Sequence, residues 1–296
     1  MKEIVVVSGK GGVGKSSITA SICHLLSSRH KIVMADTDVD APNLDIVAGA
    51  TLKESADISA SDKAYIDYEK CTACMKCMSV CRFASIIKSD MPVIMNYSCE
   101  GCGACEVVCP AKAIEIKKTV NGQIKIFQGK SGYIVSGDLR MGESSSGRLV
   151  DEVKNRARQK ADAIGAEILF IDGPPGIGCP VISTLKGSDY VVAVTEPTPA
   201  ALSDLKRVIN VAGHFKPVIS IIINKADINA GMTSLIKQYA EESGITILGE
   251  IPYDISIPRA VAMTLPVTSV YPFSPASVSI RELADRLENL SEIKQE

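Results

Sequence analysis

Two short cysteine runs constrain this chain more than any other feature. Eight of its ten cysteines fall into Cys71-x2-Cys74-x2-Cys77-x3-Cys81 and Cys99-x2-Cys102-x2-Cys105-x3-Cys109. Thiolates at two-residue spacing can wrap one cubane of iron and sulfide. The runs repeat each other at a 28-residue offset, so that Cys71 matches Cys99, Cys81 matches Cys109 and Ile86 matches Ile114. A duplication of that length fits a small pseudo-twofold module holding two clusters. Zinc is the competing reading, but structural zinc normally takes two separated cysteine pairs, not three cysteines at successive two-residue gaps.

A second motif lies upstream. Gly9-Lys10-Gly11-Gly12-Val13-Gly14-Lys15-Ser16 follows the apolar run Ile4-Val5-Val6-Val7 and opens a helical stretch, with Ser17 in the same turn. In that context the glycines let backbone N–H groups converge on the phosphates of a nucleotide. Lys15 is expected to reach the β/γ-phosphates, and the Ser16 hydroxyl to bind Mg2+. The two motifs together predict a chain that joins iron–sulfur chemistry to nucleotide hydrolysis.

At 296 residues there is room for about two domains of roughly 100–200 residues each. The net charge of −2 gives no electrostatic reason to expect nucleic acid as a partner. No apolar run approaches the ~20 residues needed to span a bilayer, and the first apolar run is too short for a signal peptide. Metal-spaced cysteines without an export signal point to a reducing cytoplasm, not to a disulfide framework.

Short Val/Ile-rich runs at 4–7, 32–35, 168–171, 190–194, 218–223 and 245–249 read as parallel strands buried on both faces. Helical stretches at 15–28, 148–164, 200–212 and 232–242 follow them. The alternation predicts an α/β fold, a doubly wound and mostly parallel sheet. It stops near Leu52, where a polar stretch leads into the cysteine runs, and resumes by Arg148. The division expected is 1–58 and 119–296 for the nucleotide-binding domain, with 59–118 as an inserted small α+β two-cluster domain. Asn121-Gly122 reads as a tight hairpin turn. Near the end, Ile280, Leu283, Ala284, Leu287 and Leu290 share one helical face. Its polar side carries Arg281, Glu282, Asp285, Arg286, Glu288 and Glu292, a mixed set that opposes binding to anionic lipid and predicts packing on the core.

Four segments together carry a family resemblance. The loop with its extra Lys10 resembles the deviant Walker A of the MinD/ParA superfamily of P-loop ATPases. The stretches I-V-M-A-D-T-D-V-D-A-P-N (32–43), I-L-F-I-D-G-P-P-G-I-G (168–178) and Ile251-Pro252-Tyr253-Asp254 resemble its first switch, its Walker B strand with second switch, and its late I-P-x-D segment. With the insertion included, the chain is similar to MinD-like ATPases carrying a ferredoxin domain, relatives of the Mrp/NBP35 cluster carriers and the nitrogenase iron protein.

The resemblance implies roles. Lys10 would reach across a nucleotide-dependent homodimer to the partner's nucleotide, Asp38 would orient the attacking water, Asp36 would support the Mg2+ site and Asp172 would hold a magnesium-bound water. The role of Asp40 stays open. Asn224 would contact adenine. Against this, Asn224-Lys225-Ala226-Asp227 also reads like the guanine motif N-K-x-D of other P-loop families, in which Asp227 would take the base; Asp227 could equally cap the helix near Ala230. ATP is favoured.

In the bacterial two-cluster pattern the fourth cysteine of each run ligates the other cluster. That pattern assigns Cys71, Cys74, Cys77 and Cys109 to one [4Fe-4S] cluster and Cys81, Cys99, Cys102 and Cys105 to the second. Pro110 follows Cys109 as in ferredoxins, whereas Arg82 follows Cys81. Cys23 reads as a small buried hydrophobe. Cys179, seven residues past Asp172, is either a packing residue or a transient cluster contact.

Three functions fit these residues. The first is an ATPase whose cycle gates electron transfer from two resident clusters to a partner protein. The second is an ATP-dependent cluster assembly or carrier protein delivering to an acceptor, disfavoured by the lack of a bridging C-x-x-C outside the module. The third, a positioning ATPase of the MinD/ParA kind, is disfavoured by the acidic final helix.

Overall fold

The computed structural model describes residues 1–143 and 147–292, with side chains through residue 290; the side chain of Glu292 lies outside the described residues. Strand β1 (Lys2–Ser8) runs through the phosphate loop into α1 (Lys15–Leu26). Then come β2 (Ile32–Asp36), the single turn α2 (Leu44–Val47) and β3 (Thr51–Ile58). The cysteine segment holds β4 (Ser61–Ile66), α3 (Lys76–Val80), β5 (Ile86–Lys88), β6 (Pro92–Ile94), α4 (Ala104–Val107) and β7 (Ile114–Thr119). It is followed by β8 (Gly122–Gly129), β9 (Gly132–Leu139), α5 (Gly147–Ile164), β10 (Ile168–Pro175), α6 (Cys179–Leu185) and β11 (Tyr190–Thr195). The last part is α7 (Pro199–Gly213), β12 (Val218–Asn224), α8 (Ala230–Glu242), β13 (Thr246–Ile251), α9 (Ser256–Ala262), α10 (Val267–Val270) and α11 (Pro275–Glu292).

Among the described residues a nine-stranded sheet runs in the order β13-β12-β11-β1-β10-β2-β9-β8-β3. Its first seven strands pair in parallel, while β8 and β3 are antiparallel. Strand alternation splits the core. Ile4 and Val6 of β1 face α1 and α11, whereas Val5 and Val7 face α5 and α7. Covering both faces is what makes these strands read as continuous apolar runs. The final helix sits on one of these faces with Ile280, Leu283, Ala284 and Leu287 buried, as its apolar stripe predicts. No helix among the described residues is long and apolar enough to cross a membrane.

Two expectations fail in the cysteine region. The polar stretch after Leu52 is not a break but strand β3, exposed along nearly its whole length at the sheet edge. Backbone pairing to β8 holds it, so it carries no apolar period. Asn121-Gly122 is not a hairpin turn, because β7 and β8 pair with β4 and β3, not with each other. The pairs Ile58↔Gly122 and Ser61↔Thr119 lie in one register, so β3–β4 and β7–β8 form a two-stranded ribbon leaving the sheet edge. Asn121 pins its bend: its buried side chain accepts from the Ala60 N–H at 2.8 Å, and its backbone N–H donates to the Ile58 carbonyl at 3.0 Å. Beyond the bend, Ala64, Ile86, Ile114 and three cysteines form a separate small core.

Candidate functional site: the phosphate loop and two cysteine cups

The loop between β1 and α1 bends through two positive φ angles, Gly12 at 80° and Gly14 at 92°. A Cβ on Gly14 would lie 2.5 Å from the Asn224 amide nitrogen, so glycine is required there for space as well as for conformation. Gly9 is equally constrained, since a Cβ would fall 2.4 Å from the Asp204 backbone on α7. A cleft of about 440 Å³ opens over the loop, lined by Gly11, Gly12, Gly14, Lys15, Ser16, Ser17, Asp38 and Asn43, with Ile46, Val47, Pro175 and Val261 as an apolar wall.

Behind the loop lies a buried charge cluster. The Lys15 ammonium sits 2.8 Å from one Asp172 oxygen, and Thr19 donates to the same oxygen at 3.2 Å. The other Asp172 oxygen is buried without a hydrogen-bond partner, and so is the Ser8 hydroxyl on the cleft wall. Orphaned buried polar atoms beside a cationic lysine suit a site built for phosphate and a divalent ion. Asp36 is fully buried and accepts from the backbone N–H groups of Asp38 (3.1 Å), Asn43 (2.8 Å) and Leu44 (2.9 Å). It therefore holds the segment carrying Asp38 in shape. Burial, and after it the charge of Asp172, pushes Asp36 up to about 7. Asp38 lines the cleft half-buried and is likewise raised by burial, while Asp40 is exposed.

Lys10 is half exposed and lies 3.7 Å from Glu196, which also accepts from Lys225 at 2.9 Å. Val13 is buried, and its carbonyl takes a 2.7 Å bond from the Asn224 amide; Asn224 thus braces the loop from behind and is not among the cleft-lining residues. Asp227 caps neither the helix near Ala230 nor any other: Asn229 is the N-cap of α8, and Asp227 accepts from the Tyr253 N–H at 2.6 Å. Sequence reasoning missed Ser8, Thr19 and Glu196. Ser8 and Thr19 flank the motif and carried a signal in their hydroxyls; Glu196, just past the end of β11, the strand next to β1 in the sheet, carried none.

The cysteines gather into two cups. Cys71, Cys74, Cys77 and Cys109 line one cavity with Ile66, Pro92 and Ile114. Cys81, Cys99, Cys102 and Cys105 line another with Ala64, Phe83 and Ile86. Each cup therefore draws three cysteines from one run and the last from the other. Positive φ angles repeat at the same offset: Ala73 and Gly101, Met75 and Gly103, Ala84 and Lys112. Turns of this kind aim peptide N–H groups at a central anion. Equivalent bonds run from Ser85 N–H to Cys81 sulfur (3.3 Å) and from Ala113 N–H to Cys109 sulfur (3.2 Å). Burial raises the thiols of Cys77 and Cys105 at matching places. Among the described residues no three His, Cys, Asp or Glu side chains converge as closely as a single metal ion needs. Four thiolates with inward N–H donors are the donor set a cubane takes.

Cys23 is buried in α1, as expected of a small hydrophobe, whereas Cys179 is exposed at the start of α6 and has no core-packing role.

A nucleotide cleft at the C-terminal ends of parallel strands defines this as a P-loop nucleotide-binding protein of the deviant Walker A kind. A family model for the CobQ/CobB/MinD/ParA nucleotide-binding domain matches residues 4–267, and the chain belongs to that family. It is 36% identical over 286 residues to an uncharacterized protein of Methanocaldococcus jannaschii, covering 96% of each chain. An iron–sulfur cluster carrier protein of Pyrococcus horikoshii is 24% identical over 313 residues, spanning 99% of this chain and 88% of the other. In fold the protein resembles the septum site-determining protein MinD of Pyrococcus horikoshii, solved with Mg-ADP, with a TM-score of 0.61, 18% identity and coverage of 100% and 99%.

Proposed function

We propose that this protein is a cytoplasmic ATPase in which nucleotide binding and hydrolysis gate electron transfer from two resident [4Fe-4S] clusters to a partner protein. The observation that carries the reading is the pair of four-cysteine cups on a ribbon rooted in the sheet that holds the phosphate loop. Residues 59–118 form the cluster module, and 1–58 with 119–296 the ATPase frame. Cys71, Cys74, Cys77 and Cys109 would hold one cluster, and Cys81, Cys99, Cys102 and Cys105 the other; bound, they supply low-potential one-electron chemistry.

The chain's own residues supply the rest. Gly9 to Ser17 receive the phosphates on backbone N–H groups, with Lys15 neutralising the β/γ-phosphates. Ser16 and Asp172 would hold Mg2+, and Asp36 supports them by fixing the 38–44 turn. Asp38 orients the attacking water. Lys10 leaves Glu196 to reach the nucleotide of a second copy, so catalysis requires the homodimer. Asn224 acts on the base side through the loop it braces, and we favour ATP over GTP because the Asp227 carboxylate already serves Tyr253.

A carrier role is the second reading, supported by the name of the Pyrococcus relative. Resident and carried clusters differ in lability. Anaerobically purified protein should hold about eight irons and eight sulfides per chain that survive a chelator. Lys15→Ala should abolish tight ATP binding, and Asp38→Ala should bind ATP without turning it over. Chelator-labile iron transferred to an apo-acceptor in an ATP-dependent way would favour the carrier; GTP bound much more tightly than ATP would overturn the base assignment.

A further inference from the structure

The two cups are not equivalent, although the backbone that builds them repeats. The symmetry breaks at the first cysteine of each run: Cys99 is buried, while its counterpart Cys71 is half-buried. Strand β4 covers Cys99, and the Ala64 N–H points at the Cys99 sulfur at 3.5 Å. The residue before it, Lys63, is 1% exposed. Its ammonium donates to the carbonyls of Cys99 (3.0 Å) and Asn96 (2.9 Å). Glu143, from the chain between β9 and α5, lies 2.9 Å away, close enough for an ion pair though not aligned as a hydrogen bond. At the 28-residue offset Lys63 and Ala64 match Met91 and Pro92: Met91 carries no charge, and Pro92, on the wall of the first cup, has no N–H to give, while Lys70 beside Cys71 pairs with Asp67 at the surface, 64% exposed.

We propose that Lys63 is a positioning residue that sets the cluster of Cys81, Cys99, Cys102 and Cys105 at a higher reduction potential than its twin and, through Glu143, fastens that cluster to the ATPase frame. The inference rests on the cluster reading above. Reduction adds negative charge to a cubane, and a buried ammonium on a ligand's own peptide stabilises the reduced form, with little screening by salt. The cations of the first cup, Lys70 beside Cys71 and Lys76 on its wall, are exposed and do much less, and so does Glu100, exposed on the wall of the second cup. Electrons entering at the cup of Cys71 therefore run downhill to the cup of Cys99, on the side held by the frame. Two more contacts hold that side. Arg148 on α5 pairs with Asp62 at 2.7 Å, and Gly101 lies so close to Asp62 that a Cβ would sit 2.2 Å from its carbonyl oxygen.

The opposite charges of the pair make the test specific. Full-length protein is purified anaerobically and titrated with dithionite under electron paramagnetic resonance. Cys74→Ser and Cys102→Ser assign the two reduction waves to their cups. Lys63→Met should move only the Cys102 wave, to lower potential, and Glu143→Gln should move the same wave to higher potential. Lys63→Arg should restore the wild-type order. A purely structural pair would open the cup in both variants and shift the wave in one direction, which would overturn the proposal, as would equal shifts in both waves or none. Should Lys63→Met fail to fold, the upward shift in Glu143→Gln decides alone. Wild-type protein without two cubane signals would sink the cluster reading and this inference with it; two signals with unmoved variants would sink this inference only.

Discussion

Ala73 and Met75 adopt φ of 54° and 56°, where the second run has Gly101 and Gly103 at 60° and 79°. A side chain in the left-handed region costs about 1–2 kcal/mol. The gain from Ala73→Gly is offset by greater chain entropy in the unfolded state, leaving roughly 0.5–1 kcal/mol of stabilisation. Gly101→Ala should cost more than about 2 kcal/mol, from the same strain plus the clash with Asp62, and should damage the second cup selectively. Thermal unfolding with iron counts for each cup checks both. Asp36 supplies a pH signature. Its folded pKa of about 7 exceeds the ~3.9 of an unfolded aspartate, so the folded state binds the extra proton between them. That stabilisation is complete below the unfolded value and lost as pH rises through the folded one. Nucleotide-free protein should therefore melt at lower temperature as pH goes from roughly 5 to 8. His30, raised by its bond to Glu167 and then by Glu288 against the opposing effect of burial, adds a slope of the same sign. The readout is thus the difference between wild type and Asp36→Asn; an identical slope in both would remove Asp36 as the cause.

At the scale of elements, α5 joins α6 to the strands β2, β9 and β10. Its buried Lys154 donates to the carbonyls of Ser183, Thr184 and Lys186 at 3.1, 2.7 and 2.6 Å, closing the C-terminal end of α6. Thr184 in turn meets Thr37 at 3.1 Å, and Thr37 donates to the Asp172 carbonyl at 2.9 Å. The first turn of α5 presses on α6 as well: a Cβ on Gly147 would sit 2.4 Å from the Ser183 hydroxyl oxygen. Lys154→Met leaves buried carbonyls unpaired, at about 1–3 kcal/mol for each one stranded. Amide exchange in α6 should accelerate well beyond the rest of the sheet in this variant. A uniform increase across the protein would mean that Lys154 contributes only global stability.

Across the whole molecule, these contacts form a path from the phosphate loop to the cysteine cups. It runs from Asp172 and Thr37 through α6 and α5 to Arg148 and Asp62, beside the second cup. Leaving the sheet directly after the first switch would have made a shorter route, but the chain departs from β3, at the far edge. Linkage requires that a nucleotide favouring one arrangement of α6 alter whatever else distinguishes the two arrangements. We expect ATP, more than ADP, to change the potential or chelator sensitivity of the cup of Cys99 and to leave the cup of Cys71 nearly unmoved. Lys10→Ala should abolish the effect by weakening dimer closure, and Arg148→Ala should weaken it while ATP hydrolysis persists. Identical redox titrations in the apo, ADP and non-hydrolysable ATP states would leave the two halves merely tethered.

The phosphate loop, the buried strands around it and the two cysteine runs were legible in the sequence because each is a local code. Glycine, lysine and serine at fixed spacing make a phosphate turn, apolar runs mark strands covered on both faces, and thiols two residues apart face one centre. The ribbon 58–61 and 119–122 was not legible: antiparallel pairing is carried by backbone groups, so exposed β3 has no pattern to read, and Asn121 looks like a turn residue while it ties two strands. Lys63 and Glu143 are ordinary surface residue types 80 positions apart in the sequence. Only folding buries Lys63, covers most of Glu143 and sets their charges behind Cys99, because burial and distance, not residue type, decide what an ion pair does.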